Sequence, residues 1–203
     1  MILKADVVAS YLEEPDSTDP LVITPSPDIE VLRGSGAASV DLRLGTWFLS
    51  LRHAKMTCID VTKGEDYHEA SEKFTKSSYI PFGQDFILHP GSFVLGITLE
   101  WIRLPGLLSG FVIGKSSWGR RGLVIATATG VHPRFTGCLT LEITNLGHIP
   151  LKLKPGMLIC QLFLEEVRGS ASESDLSQFN ARRKPVLGKM NIDDFSKMLS
   201  EEI

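Results

Sequence analysis

From residue 38 onward the chain is a succession of short apolar, β-branched or aromatic runs, each broken by Gly or Pro. The runs fall at residues 39–44, 47–51, 86–88, 92–99, 110–113, 122–128, 138–144, 149–153 and 157–165. Many strand-length segments at this spacing predict a mainly β sandwich or barrel. Residues 2–14 are the exception at the N-terminus: Leu3, Val7, Val8, Tyr11 and Leu12 recur at helical spacing and predict an amphipathic helix. Pro15, Pro20, Pro25 and Pro27 then predict an irregular stretch. Residues 62–76 are polar and charged and read as a solvated excursion, with a short helix as the alternative. At the other end, Ile192, Phe195, Met198 and Leu199 form a final helical stripe.

A chain of 203 residues suits one substantial core, and no repeat or linker divides it, so residues 1–203 are expected to form a single domain. No run reaches the roughly 20 apolar residues of a membrane helix, and the first residues lack the charge and apolar core of a signal peptide, so a cytoplasmic protein is expected. Cys58, Cys138 and Cys160 are widely spaced, which fits reduced thiols and not a disulfide framework. The net charge of −3 argues against a nucleic-acid partner, whereas a small phosphorylated ligand needs only a local basic pocket.

Zinc-dependent base deaminases carry a His-x-Glu and a Pro-Cys-x-x-Cys, and this sequence has neither. His53, His68, His89, His132 and His148 have no metal-ligand spacing, so no zinc is expected. No P-loop and no Gly-x-Ser-x-Gly elbow is present. Any hydrolysis must therefore use a water activated by side chains.

Two segments carry chemistry. Gly114-Lys115-Ser116-Ser117-Trp118-Gly119-Arg120-Arg121-Gly122 concentrates three cations, two hydroxyls and three glycines between two expected strands. Glycines let backbone N–H groups approach oxyanions, hydroxyls donate to them, and Arg binds them bidentately. Composition alone leaves a solvated basic turn as the alternative. The second segment, Gly130 to Gly137, reads as a β-hairpin leading into Cys138-Leu139-Thr140-Leu141-Glu142-Ile143-Thr144-Asn145. Alternation puts Leu139, Leu141 and Ile143 on one face of that strand and Cys138, Thr140, Glu142 and Thr144 on the other. Glu142 is then either a general base or a carboxylate facing water.

These segments resemble the dCTP deaminase family of the dCTP deaminase and dUTPase superfamily. Ala38-Ser39-Val40-Asp41-Leu42-Arg43-Leu44-Gly45 is similar to the family's early signature, and Leu88-His89-Pro90-Gly91-Ser92-Phe93 with Thr98-Leu99-Glu100 to its middle. The loop from Gly114 to Gly122 resembles its Gly-Arg-Ser-Ser-x-x-Arg-x-Gly phosphate loop, and Pro155-Gly156-Met157-x-Ile159-x-Gln161-Leu162 its last shared motif. The matches follow the family's order over residues 38–167. The resemblance implies a dUTPase-like distorted β-barrel or jelly-roll with short terminal helices. It also implies a homotrimer with each site between neighbours, and a nucleoside triphosphate (dCTP, with dUTP and dTTP as further candidates) bound with Mg²⁺ and without zinc.

Carried over by position, Glu142 is the implied general base, and Ser116 with the Ala128 carbonyl holds the water. Arg120 orients Glu142. Lys115, Ser117, Trp118 and Gly119 belong to the phosphate loop, Thr140 and Leu141 line the base pocket, and His132 lies at the sugar. Asp41 and Arg43 are read as structural or interfacial. Gln178 and Arg182 loosely resemble the part of a mobile tail (168–203) that closes on the triphosphate, with Arg183 and Lys184 as further cations, and a solvated basic tail is the alternative. His132 stands where the family has an Asp, and the Gly-rich C-terminal arm of dUTPases is absent. Deamination of dCTP to dUTP and ammonia is therefore the leading expectation. A dUTPase or bifunctional enzyme comes next, and a non-catalytic nucleotide-binding trimer last.

Overall fold

The computed structural model describes residues 1–14, 17–52, 74–126, 130–169 and 179–188. The C-terminal apolar stripe, Ala128, Gln178 and most of the 62–76 stretch lie outside them. In chain order the elements are α1 (Ala5–Leu12), β1 (Val22–Thr24), α2 (Ile29–Gly34), β2 (Val40–Arg43), β3 (Trp47–Leu51), β4 (Thr75–Tyr79), β5 (Phe86–Leu88), β6 (Phe93–Arg103), β7 (Leu108–Gly114), α3 (Ser116–Gly119), β8 (Leu123–Ile125), β9 (Gly130–Val131), β10 (Thr136–Asn145), β11 (Leu151–Leu153) and β12 (Leu158–Glu166).

The strands form two main antiparallel sheets. One runs β4-β3-β6-β10-β8, with β1 also paired to β6; the other runs β2-β12-β7-β9. A small β5–β11 pair completes the body. Alternation along each strand sends one side chain in two between the sheets. Leu42, Phe48, Ile102, Leu108, Leu141, Ile143, Ile159 and Leu162 meet there, almost wholly buried. Each such side chain contributes about 1.5–3 kcal/mol of burial. The Phe48 and Phe86 rings stack at 4.4 Å.

Several sequence expectations are corrected. The N-terminal helix begins at Ala5, because Leu3 donates its backbone N–H to Leu164 and Ile2 bridges Glu165 as a strand-like extension of β12. The helix buries Ala5, Val8 and Ala9, while Val7 points outward. The proline-rich stretch contains β1, and α2 follows it, capped by Asp28, whose carboxylate accepts from the Val31 N–H at 3.1 Å. Residues 75 and 76 are the start of edge strand β4, whose mostly exposed side chains need no apolar face. The segment from Gly130 to Gly137 is not a hairpin. β9 pairs with β7 in one sheet and β10 pairs with β6 and β8 in the other, so the segment crosses between sheets.

Alternation on β10 holds from Leu139 to Asn145 but not at Cys138. An irregularity in the β6 pairing lies between Cys138 and Thr140, and both Cys138 and Leu139 are buried. There the Leu139 N–H donates to the Thr98 hydroxyl, which donates onward to the Glu100 carbonyl, both at 2.9 Å. A side chain thus replaces a backbone rung of the ladder.

Candidate active site

The basic loop starts where β7 ends against β12. Lys115 donates its N–H to the Ile159 carbonyl at 3.2 Å, and a single helical turn, α3, follows. The N–H groups of Gly119, Arg120, Arg121 and Gly122 all donate back into that turn. These amides are therefore not available to a phosphate, contrary to the picture of an open glycine cradle. The exposed Ser116 and Ser117 hydroxyls remain free to donate outward. Trp118 is an anchor: its Nε1 donates to the Leu158 carbonyl at 2.8 Å and its ring packs on the core. Gly122 closes the loop at φ +89°, with a Cβ there 2.5 Å from the Gly147 nitrogen, so no other residue fits.

The loop's three cations differ in their partners. Lys115 Nζ donates to Asp41 Oδ2 at 2.6 Å. Arg121 Nη1 donates to the Ser117 carbonyl at 2.6 Å. The exposed Arg120 guanidinium has no partner among the described residues. Asp41, read from sequence as structural or interfacial, thus pairs with the loop from β2. Arg43 instead spans to Glu100, its N–H donating to Glu100 Oε2 at 2.8 Å.

Glu142 leaves β10 on the face it shares with Thr140 and Thr144, opposite the buried Leu141 and Ile143. Burial pushes its carboxyl above the ordinary range, and no partner among the described residues opposes that shift. The backbone beside it is fixed, since the Ala126 N–H donates to the Glu142 carbonyl at 2.9 Å. That contact brings the chain just before residue 128 alongside Glu142. No hydrogen bond or ion pair joins Glu142 to Ser116 or Arg120 within the chain, among the described residues. The pleat explains why. Gly114, at the mouth of the loop, faces Ile125, and Ile125 pairs with Ile143 on the core side of β10. His132 is exposed in the turn before β10, with its carbonyl accepting from Phe135 at 3.2 Å. Thr140 is half-buried on the Glu142 face, whereas the Leu141 side chain is in the core.

The described part of the tail docks on the start of β10. Ala181 donates to the Thr136 carbonyl at 2.6 Å, and the Arg182 carbonyl accepts from Cys138 at 2.9 Å. Arg183 lies 4.8 Å from the Trp101 ring centre, and Lys184 Nζ lies 3.9 Å from that of Trp47. These two cations face tryptophans in this arrangement and not the Ser116 loop.

Among the described residues no group of three or more His, Cys, Asp or Glu side chains could hold a metal ion, and no helix is long and apolar enough to cross a membrane. A family model described as dCTP deaminase-like matches residues 12–167. A dCTP deaminase of Halorubrum lacusprofundi is 40% identical over 172 residues, covering 84% of this chain and 80% of its own. A dCTP deaminase, dUMP-forming, of Dictyoglomus turgidum is 38% identical over 200 residues, covering 95% and 96%. The crystal structure of 2'-deoxycytidine 5'-triphosphate deaminase from Agrobacterium tumefaciens superposes with a TM-score of 0.57 at 22% identity. It is covered over 80% of this chain and 46% of its own, a likeness of fold. The strand order, the basic loop and the Glu142 strand thus sit inside a matched region that spans most of the sequence, and the chain belongs to the dCTP deaminase-like family.

Proposed function

We propose that this chain is a dCTP deaminase that hydrolyses the cytosine amino group, converting dCTP and water to dUTP and ammonia. The observation that carries the reading is the half-buried Glu142 carboxylate, without a partner among the described residues, on an interior strand of a dCTP deaminase-like chain. A carboxyl raised by burial is a better proton acceptor near neutral pH than a solvated one.

In this mechanism Glu142 takes a proton from a water held by the Ser116 hydroxyl and the Ala128 carbonyl. The water oxygen bonds to C4 of cytosine as the C4–N3 π electrons move to N3. Glu142 returns its proton to N3. The hydroxyl proton of the tetrahedral intermediate then passes through Glu142 to the amino group. The C4–N4 bond breaks, C4=O forms, and ammonia leaves. Arg120 orients Glu142 and keeps it ionised, Lys115 and Ser117 bind the triphosphate, His132 faces the sugar, and Thr140 and Leu141 line the base pocket through backbone groups. Gln178 and Arg182 are assigned to the tail that closes on the phosphates. The donors around the loop are cations and hydroxyls, which suit phosphate oxygens. A Mg²⁺ ion would therefore be held by the triphosphate itself, where it neutralises charge.

No hydrogen bond or ion pair joins Glu142 to the Ser116 loop among the described residues, which supports a homotrimer in which a neighbour's loop completes each site; sedimentation would reveal a monomer if this is wrong. We place the enzyme in the cytoplasm, with its nucleotide pool. A bifunctional enzyme releasing dUMP is the second reading, favoured by the dUMP-forming relative that aligns over 95% of the chain. Chromatography of products from dCTP with Mg²⁺ separates the two: dUTP supports simple deamination, dUMP with pyrophosphate the bifunctional enzyme, and unchanged dCTP neither.

A further inference from the structure

A polar row crosses the outer face of the four-stranded sheet. Gln161 on β12 pairs with Asp41 on β2 and with Ile113 on β7, so the three positions share one side of the sheet. The residues between them, Val40, Leu42, Val112, Cys160 and Leu162, point into the core. Lys115 lies two positions beyond Ile113 and so returns to the outer side, where its ammonium reaches across Gln161 to Asp41. Both carboxylate oxygens of Asp41 are engaged: Oδ2 accepts from Lys115 at 2.6 Å and Oδ1 from Gln161 Nε2 at 3.2 Å. Gln161 Nε2 also donates to the Ser39 hydroxyl at 3.1 Å, so the carboxylate is held from a second direction. Side-chain exposures of 23% for Lys115 and 38% for Asp41 leave the pair half-buried and open on one side.

A lysine has a flexible stem and a point charge, and on a loop it samples many positions unless something holds it. Here the holder is fixed to two strands. We infer that Asp41 is a positioning residue for the triphosphate: it holds the Lys115 ammonium at the mouth of the loop, ready to share a phosphate oxygen on its open side. This rests on the proposal that the loop binds the triphosphate of dCTP. Asp41 touches no substrate and acts only through Lys115. Gln161 and Ser39 act one step further back, by orienting Asp41.

The opposite role is physically possible from the same contact. A carboxylate that sequesters the ammonium would weaken phosphate binding, and its removal would tighten it. Steady-state kinetics on dCTP with the full chain distinguish the two, using Asp41→Asn, which keeps the shape and the Gln161 bond, together with Lys115→Met and the double variant. Melting temperatures serve as the fold control. Wild-type turnover of dCTP is the first arm, and its absence would sink the deaminase reading, not the role of Asp41. If Asp41 positions Lys115, Asp41→Asn raises KM about fivefold or more with kcat within about twofold, on the scale of a charge-assisted hydrogen bond. Lys115→Met does the same, and the double variant is no worse than Lys115→Met alone. A lower or unchanged KM for Asp41→Asn, a fall confined to kcat, or effects of the two substitutions that multiply would each overturn the assignment. Should Asp41→Asn melt early, Gln161→Met removes the orienting bond while leaving both charges, and a raised KM at unchanged kcat is expected there too.

Discussion

Replacing Asn145 by Ala tests whether the turn behind the phosphate loop is held as the structure indicates. Asn145 is fully buried at the end of β10. Its Nδ2 donates to the carbonyls of Leu88 at 3.0 Å and Ile149 at 2.9 Å, and its Oδ1 accepts from the Gly147 N–H at 2.9 Å. Alanine removes all three bonds, leaving the Leu88 carbonyl without this partner in the interior and the Gly147 N–H and Ile149 carbonyl without it where they are half-buried. At about 1 kcal/mol net for each bond, and more where a group stays unsatisfied, the loss is about 3–4 kcal/mol. For a chain of this size that is roughly a 10 °C fall in Tm. Asn145→Asp is worse at neutral pH, since a carboxylate oxygen would face two carbonyls, and acid recovers part of the loss by protonating it. The effect reaches the site because Gly147 packs against Gly122, where the loop ends. KM for dCTP is therefore expected to rise at temperatures well below melting. Urea unfolding of wild type and variant gives the free-energy difference. A loss under about 1 kcal/mol would show that these bonds do not hold the turn.

Other expectations follow from single residues. Activity should fall in acid through an apparent pKa above the usual glutamate range, because Glu142 must be ionised to act as base and burial raises its pKa; a pH–kcat profile flat down to the ordinary carboxylate range would contradict this. Glu100 has a 3%-exposed side chain whose Oε1 lacks a hydrogen bond, with Arg43 Nη1 3.6 Å away. Its pKa is raised chiefly by burial, so the protonated form favours the folded state, and its contribution to stability is lost as pH rises through the folded value. Glu100→Gln should therefore raise Tm at pH 7, with a gain that fades as pH is lowered; a variant destabilised most at neutral pH would refute it. Arg183→Ala and Lys184→Ala each remove one contact with a tryptophan, worth about 0.5–1 kcal/mol at an exposed site. Faster amide exchange at Ala181 is the expected readout, and unchanged exchange would mean that the backbone bonds alone hold the tail.

The strand pattern was legible in the sequence wherever a strand has one apolar face. β3 and β5 lie where the runs at 47–51 and 86–88 place them, and Glu142 sits on the less buried side of β10, as alternation requires. What was not legible depends on partners distant in sequence. β4 is an edge strand with few buried side chains, so its polar residues look like a solvated loop. β9 reads as half of a hairpin until β7 claims it. The break in alternation at Cys138 comes from the Thr98 hydroxyl, 40 positions away in the chain and visible only as a contact. The Asp41–Lys115 pair was not legible because the two side chains meet only after β2, β12 and β7 are laid side by side. The loop glycines suggested an open cradle, but one turn of helix consumes its later amides. Ala128 and Gln178 lie outside the described residues.

The most direct test of the account is turnover of dCTP by the purified chain with Mg²⁺, measured as ammonia release beside a Glu142→Gln variant whose nucleotide binding is followed by calorimetry. The account predicts one ammonia per dCTP consumed in the wild type. In the variant, turnover is lost by at least about a hundredfold while binding stays within a few-fold, as removal of a general base requires. Ammonia release at an undiminished rate from Glu142→Gln, or none from a wild type that binds dCTP, would contradict it.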